Sequence, residues 1–293
     1  MTLAIEVDGL AKRYGAVTAV AGVRFGVAAH RITGLLGRNG AGKSTTIKML
    51  LGMIAPTSGA ARVLGLRVDD PRDSVEIRRR VAYVGEDKGL YAYMTVGELV
   101  RFTRSFYADW DRGHERRLLD QYQLPLDRKV KALSKGMRTK LALLLALARR
   151  PAVVILDEPT EGLDPVSIEE LLRELAGRAG DTTIMFSSHQ LDEVERIADD
   201  VVMIDRGTVV LDTSLDELRA HYRAVTIGFA AAPATAAFQM PGVRRVRVDG
   251  RQVTVIASDN SDAVVARARS LGATTVQVAP VSLREVFLEQ VAR

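Results

Sequence analysis

The sequence predicts an α/β domain followed by a smaller α+β domain, and three observations carry that prediction. Short apolar runs alternate with helical patterns as far as about Ile204. One of these runs, Ile32 to Leu36, leads straight into a glycine-rich octapeptide. The character of the chain then changes after about Arg219. A length of 293 residues agrees with two domains, a boundary near residue 220 and enough chain to bury two cores.

In chain order, Leu3 to Val7 and Val23 to Val27 read as strands, with Gly9, Gly15 and Gly22 between them, and Ile32 to Leu36 as a third. Thr45 to Leu51 continues as a helix. A mainly helical insert occupies about residues 91–150. In it, Val96 to Leu119 is predicted as one helix whose Phe102, Phe106, Tyr107 and Trp110 share a face, Trp110 being either docking surface or core, and Arg138 to Arg149 as a second helix. Ala152 to Leu156, Thr182 to Phe186 and Val201 to Ile204 follow as buried-type strands, separated by helices over Val166 to Arg178 and Gln190 to Ile197. Beyond an Ala-rich stretch, Ala230 to Ala237, the pattern is strand (Val243 to Val248), an Asp249-Gly250 turn, strand (Gln252 to Ala257), helix (Asp262 to Ser270), strand (Thr275 to Val278) and helix (Leu283 to Val291).

Composition narrows the chemistry. The chain has no cysteine, which excludes disulfides, iron–sulfur clusters, thiolate zinc sites and cysteine nucleophiles. The start has no basic stretch followed by a long apolar run, so no secretory signal is expected. The apolar run Leu141 to Ala148 falls far short of the roughly 20 residues that span a bilayer. The net charge of +5 is weak evidence for a nucleic-acid partner, because it is unevenly placed. Residues 101–150 hold 13 Lys/Arg against 5 Asp/Glu, whereas residues 151–200 hold 3 against 13, which points to two different surfaces.

The octapeptide Gly37-Arg38-Asn39-Gly40-Ala41-Gly42-Lys43-Ser44 is a full match to the phosphate-loop pattern. A strand enters it and a helix leaves it, so backbone N–H groups and the positive helix end can surround a phosphate. Lys43 is placed to reach the β/γ-phosphates and Ser44 to ligate Mg²⁺. Further on, Val153-Val154-Ile155-Leu156-Asp157-Glu158-Pro159 delivers two carboxylates at a strand's carboxyl end. Asp157 can hold Mg²⁺ through its water shell, and Glu158 can orient and partly deprotonate an attacking water. His189, after a strand ending at Phe186 and a Ser187-Ser188 turn, is either a γ-phosphate sensor or a helix cap. Asp164, before Pro165, has the form of an ordinary N-cap.

These residues, over about positions 2–220, resemble the ATP-binding subunit of an ATP-binding-cassette transporter, and most resemble exporter subunits whose permease is a separate chain. The resemblance rests on the phosphate loop, Leu133-Ser134-Lys135-Gly136-Met137, Leu156-Asp157-Glu158-Pro159, Glu161-Gly162-Leu163-Asp164-Pro165 and His189, in the family's order. It implies an antiparallel β subdomain, ATP and Mg²⁺ as ligands, and hydrolysis with Glu158 and His189 in the catalytic site. It places Tyr14 where the family stacks an aromatic ring on adenine, although strand-edge packing would also explain that residue. Thr45 completes the implied nucleotide-binding set. Glu86, with its carboxylate where the family usually has glutamine, is an implied ligand of Mg²⁺ or water. Ser134 and Gly136 are implied to face the γ-phosphate held by a second subunit, together with the Asp164 loop. Lys135 and Met137 replace a commoner glycine and glutamine.

The resemblance further implies two cassettes, identical or different, joined head to tail. It also implies a membrane-embedded permease docked near Glu86 to Tyr93, and a peripheral position on the cytoplasmic face of the membrane. No nucleic-acid partner is expected. Residues 221–293 match the plan of an accessory C-terminal domain. Two other readings share the motifs: a soluble cassette ATPase acting on ribosomes or nucleic acid, and a weakly hydrolysing regulatory module, which Glu86, Lys135 and Met137 keep open.

Overall fold

The computed structural model describes residues 2–231, 235–258 and 260–291. The chain divides into two compact units, Met1–Asp212 and Thr213–Arg293.

The first unit contains two sheets. One has the order β2-β1-β4-β5, built from β1 (Leu3–Tyr14), β2 (Val17–Ala28), β4 (Ser58–Val63) and β5 (Leu66–Arg67), paired antiparallel throughout. Ile5 of β1 stands opposite both Val27 and Val63, and all three are fully buried. The other sheet has the order β10-β9-β3-β8-β7-β6. It comprises β3 (Ile32–Leu36), β6 (Val81–Val84), β7 (Val153–Asp157), β8 (Thr183–Ser188), β9 (Asp200–Asp205) and β10 (Thr208–Ser214), the last running two residues past the first unit. From β9 to β6 the neighbours are parallel. Every residue of β3, β7 and β8 is buried, as a parallel sheet covered on both faces requires, which is why these strands read as continuous apolar runs. A core that includes Leu35, Ile47, Ile155 and Met185 with Ile5 and Phe25 fills this unit.

Helices α1 (Lys43–Leu50), α2 (Pro71–Arg80), α6 (Pro165–Ala176) and α7 (Leu191–Ile197) accompany the sheets, and α3 (Val96–Arg104), α4 (Arg112–Tyr122) and α5 (Lys135–Leu147) form the insert. The single helix expected over Val96 to Leu119 is two. Ser105 caps the end of α3, and the Asp111 carboxylate caps the start of α4 by accepting from His114 N at 2.8 Å, a local bond that outcompetes helix continuation. Phe106, Tyr107 and Trp110 therefore lie in the connection and share no helical face. The Phe102 and Phe106 rings meet edge to face, while Tyr107 stacks beside Trp110 with the Arg149 guanidinium on its ring. Trp110 is half-buried and donates its indole N–H to Glu115 Oε2 at 2.5 Å.

The second unit is one antiparallel sheet, order β12-β13-β11-β14, from β11 (Tyr222–Gly228), β12 (Val243–Asp249), β13 (Gln252–Ser258) and β14 (Thr275–Pro280), with α8 (Leu215–His221), α9 (Ser261–Ser270) and α10 (Leu283–Val291). Val225, Ile227, Val253 and Val255 pack with Val264 and Ala268 of α9 in its core. The expected hairpin, helix and strand after Val243 are present. Of the expected Ala-rich stretch, residues 232–234 lie outside the described residues.

Candidate active site

Three adjacent parallel strands deliver the chemistry at their carboxyl ends, where open α/β sheets bind ligands. β3 leads into the phosphate loop, β7 ends on Asp157, and β8 is followed by His189. Gly42 caps α1 in the left-handed region, φ 108°, and a Cβ there would lie 2.6 Å from the Ala19 carbonyl oxygen. Only glycine suits both the turn and that approach. The loop and the α1 N-terminus wall a cavity of about 360 Å³ lined by residues 38–45, Glu86, Glu158, Glu161 and His189. Asn39, Gly40, Ala41, Gly42, Lys43, Ser44 and Thr45 all border this space, and Gly37 contributes its carbonyl to Lys43.

Lys43 is buried and its ammonium is shared. It donates to the Gly37 carbonyl at 2.8 Å and lies 2.9 Å from Glu158 Oε1. The other carboxylate oxygen, Oε2, accepts from His189 Nδ1 at 2.9 Å. A carboxylate can only accept, so Nδ1 carries the proton of that pair. Glu158 thus bridges the loop lysine and the histidine, and its backbone is left-handed at φ 47°, a rare conformation for a side-chain-bearing residue. Its amide donates to Ser187 Oγ at 2.9 Å, and that hydroxyl donates to Asp157 Oδ1 at 2.6 Å. Ser44 Oγ donates to the same carboxylate oxygen at 3.2 Å. Two hard oxygen groups, the Ser44 hydroxyl and the Asp157 carboxylate, therefore meet beside the phosphate loop, a donor pair that fits Mg²⁺. Glu86 faces the same space. The charge of Glu161, then burial, then the charge of Asp157 push its carboxyl up, so a cation there would relieve crowded negative charge.

Several sequence readings change here. Ser187 and Ser188 are the last residues of β8, both fully buried, and form no turn. His189 does not cap α7, because Ser188 Oγ takes the Gln190 amide at 2.9 Å and leaves His189 to Glu158. Ser187 and Glu193 were missed. Glu193 is buried behind the site, where Thr160 Oγ1 donates to it at 2.8 Å and Ser188 Oγ at 3.0 Å. Burial pushes its carboxyl up, against the pull of those two hydroxyls. The run Phe186-Ser187-Ser188 was the available signal, since hydroxyls ending a buried strand need partners.

Gly37 and Asp157 adjoin the cavity through Lys43 and Ser44, and four other expected site residues stand away from its lining. Tyr14 is half exposed at the end of β1, with the Lys12 ammonium over its ring at 5.2 Å. Ser134 caps α5 by accepting from Met137 N at 3.2 Å. Gly136 sits against Ser167 of α6, so that a Cβ at Gly136 would lie 3.1 Å from the Ser167 hydroxyl oxygen. Asp164 caps α6, accepting from Val166 N, Ser167 N and Ser167 Oγ. Lys135 lies across Gly162, which is left-handed at φ 64°.

The profile of the ABC transporter family matches residues 20–161. The chain is 39% identical over 226 residues to the daunorubicin/doxorubicin resistance ATP-binding protein DrrA of Streptomyces peucetius, covering 74% of this chain and 67% of that one. It is 34% identical over 306 residues to the Nod factor export ATP-binding protein I of Ralstonia nicotianae, covering 99% and 94%. A solved structure of an ATP-binding subunit of an ABC transporter aligns with TM-score 0.67 and 34% identity, over 75% of this chain and 92% of that one. The chain belongs to the ABC transporter family, as one of its ATP-binding, ATP-hydrolysing cassettes. No helix among the described residues is long and apolar enough to cross a membrane.

Proposed function

We propose that this chain powers an exporter: it hydrolyses ATP at the cytoplasmic face of a membrane, and a separate permease forms the path. The observation that carries the reading is the convergence of Lys43, Ser44, Asp157, Glu158 and His189 at the ends of β3, β7 and β8. In this reading an ATP phosphate oxygen takes over the Lys43 ammonium from Glu158. The freed carboxylate then accepts a proton from the attacking water, while His189 orients it. Ser44 and Asp157, with Glu86 nearby, would hold Mg²⁺, which would neutralise the triphosphate charge. Tyr14, exposed at a strand end, offers its ring to adenine.

Ser134 and Gly136 lie outside their own phosphate-loop cavity. That placement supports a second cassette, identical or different, whose phosphate loop they complete together with the Asp164 loop. Residues 221–293, whose sequence carries no phosphate-binding motif, are assigned as an accessory domain. The names of the relatives, drug resistance and Nod factor export, support export. Phosphate release tests the site. Glu158→Gln should bind ATP and slow turnover by about 10²–10⁴-fold, and near wild-type release would remove Glu158 from the catalytic role.

A further inference from the structure

Behind the phosphate-loop cavity, one buried carboxylate oxygen joins the two chain segments that carry Glu158 and His189. Glu193 Oε2 accepts from Thr160 Oγ1 at 2.8 Å and from Ser188 Oγ at 3.0 Å. Thr160 stands two residues after Glu158, and Ser188 immediately before His189. Ser188 Oγ also accepts from the Gln190 amide at 2.9 Å, so the backbone is held on both sides of His189. The histidine needs that support. Its side chain is 39% exposed and meets Glu158 through Nδ1, whereas Glu193, Thr160 and Ser188 are each at most 6% exposed.

The helix that carries Glu193 is itself fixed. Val194, the next residue of α7, is fully buried against β3, where a Cβ on Gly34 would lie 2.3 Å from Val194 Cγ1. Only glycine admits that approach, and β3 is the strand that leads into the phosphate loop. Glu193 thus holds Thr160 and Ser188 in register with the strand that positions Lys43. Stability alone is a poor account of the residue, because its other oxygen, Oε1, is buried with no hydrogen-bond partner, which disfavours the folded chain. We propose that Glu193 is a positioning residue for hydrolysis: by accepting from Thr160 and Ser188 together, it sets the separation of Glu158 and His189 across the adjacent strands β7 and β8. This role rests on the reading of Glu158 and His189 as the reacting pair. A displacement of about 1 Å in such a pair costs about 10²-fold in rate. The phosphate loop, and with it ATP binding, is untouched.

Phosphate release and ATP binding by the full-length chain, with its cognate cassette, test the role. Glu193→Met removes the acceptor at similar size. It should lower kcat by about 10²-fold and leave KM and ATP affinity near wild type. Glu193→Gln keeps an oxygen for both hydroxyls and should recover most of the loss. Because Glu193 acts through the pair, adding His189→Ala to Glu193→Met should cost far less than His189→Ala costs alone. Thr160→Val breaks one of the two bonds at constant shape and poses the same question should Glu193→Met fail to fold; it too should lower kcat without raising KM. Wild-type kcat in folded Glu193→Met or in Thr160→Val, a loss in Glu193→Gln equal to that in Glu193→Met, or full additivity with His189→Ala would overturn the proposal and leave the reacting pair standing. Wild-type kcat in His189→Ala alone would overturn both.

Discussion

At the scale of single residues, the groups proposed for the site on the loop and at the end of β7 could be picked out because they lie in two contiguous motifs, whereas the position of His189 alone left its role open. Gly37 to Ser44 and Leu156 to Pro159 fix their chemistry by adjacency alone. What the sequence could not disclose was pairing across strands: that Glu158 would hold both Lys43 and His189, or that Ser187 would tie Glu158 to Asp157. Gly162 illustrates how such a residue can be dissected. Its φ of 64° penalises any side chain, and the Lys135 side chain occupies the place of a Cβ. Lysine's flexible end can swing away, so the backbone decides the outcome. Gly162→Ala should cost about 1–2 kcal/mol by chemical denaturation, and adding Lys135→Gly should return little of it. Full recovery in the double variant would show that the lysine contact, rather than φ, governs the position.

At the scale of elements, legibility followed burial. Strands β3, β7 and β8 are apolar throughout and were found within a residue or two of their ends, whereas β4, with four of its six residues exposed, and the two-residue β5 have no apolar run to find. The break between α3 and α4 was missed because Asp111 reads as one more polar residue on a helix until its carboxylate is seen to cap one. The junction of β7, β8 and α7 supplies a pH test through Glu193. Burial raises its carboxyl in the folded chain, while Thr160, Ser188, Glu158 and His189 face it. A carboxyl raised on folding contributes stability that is present below its unfolded value and lost as pH rises through the folded one. Glu193→Gln removes the titration and keeps an oxygen for both hydroxyls. The variant's melting temperature should therefore gain on the wild type as pH rises from the ordinary carboxylate range through the raised titration of Glu193. A gap that shrinks over that interval would contradict the assignment.

At the scale of the whole molecule, the second unit was largely readable from the Asp249-Gly250 turn and its flanking strands, but its central strand β11 was not. Residues 222–228 follow α8 without a turn signal between them, so nothing in the local sequence marks the change. If the second unit is accessory, a chain truncated after Ser214, the end of β10, should unfold cooperatively and bind ATP. Loss of cooperative unfolding would mean that the last segment completes the first unit's core. The account's central claim is that one chain's phosphate loop works with another cassette's Ser134 and Gly136. Sedimentation of the full-length Glu158→Gln variant with ATP and Mg²⁺ tests it most directly, alone and with its cognate cassette. The account predicts a dimer that forms with ATP and dissociates when the nucleotide is removed. A nucleotide-bound chain that stays monomeric at saturating ATP, with or without that cassette, would contradict it.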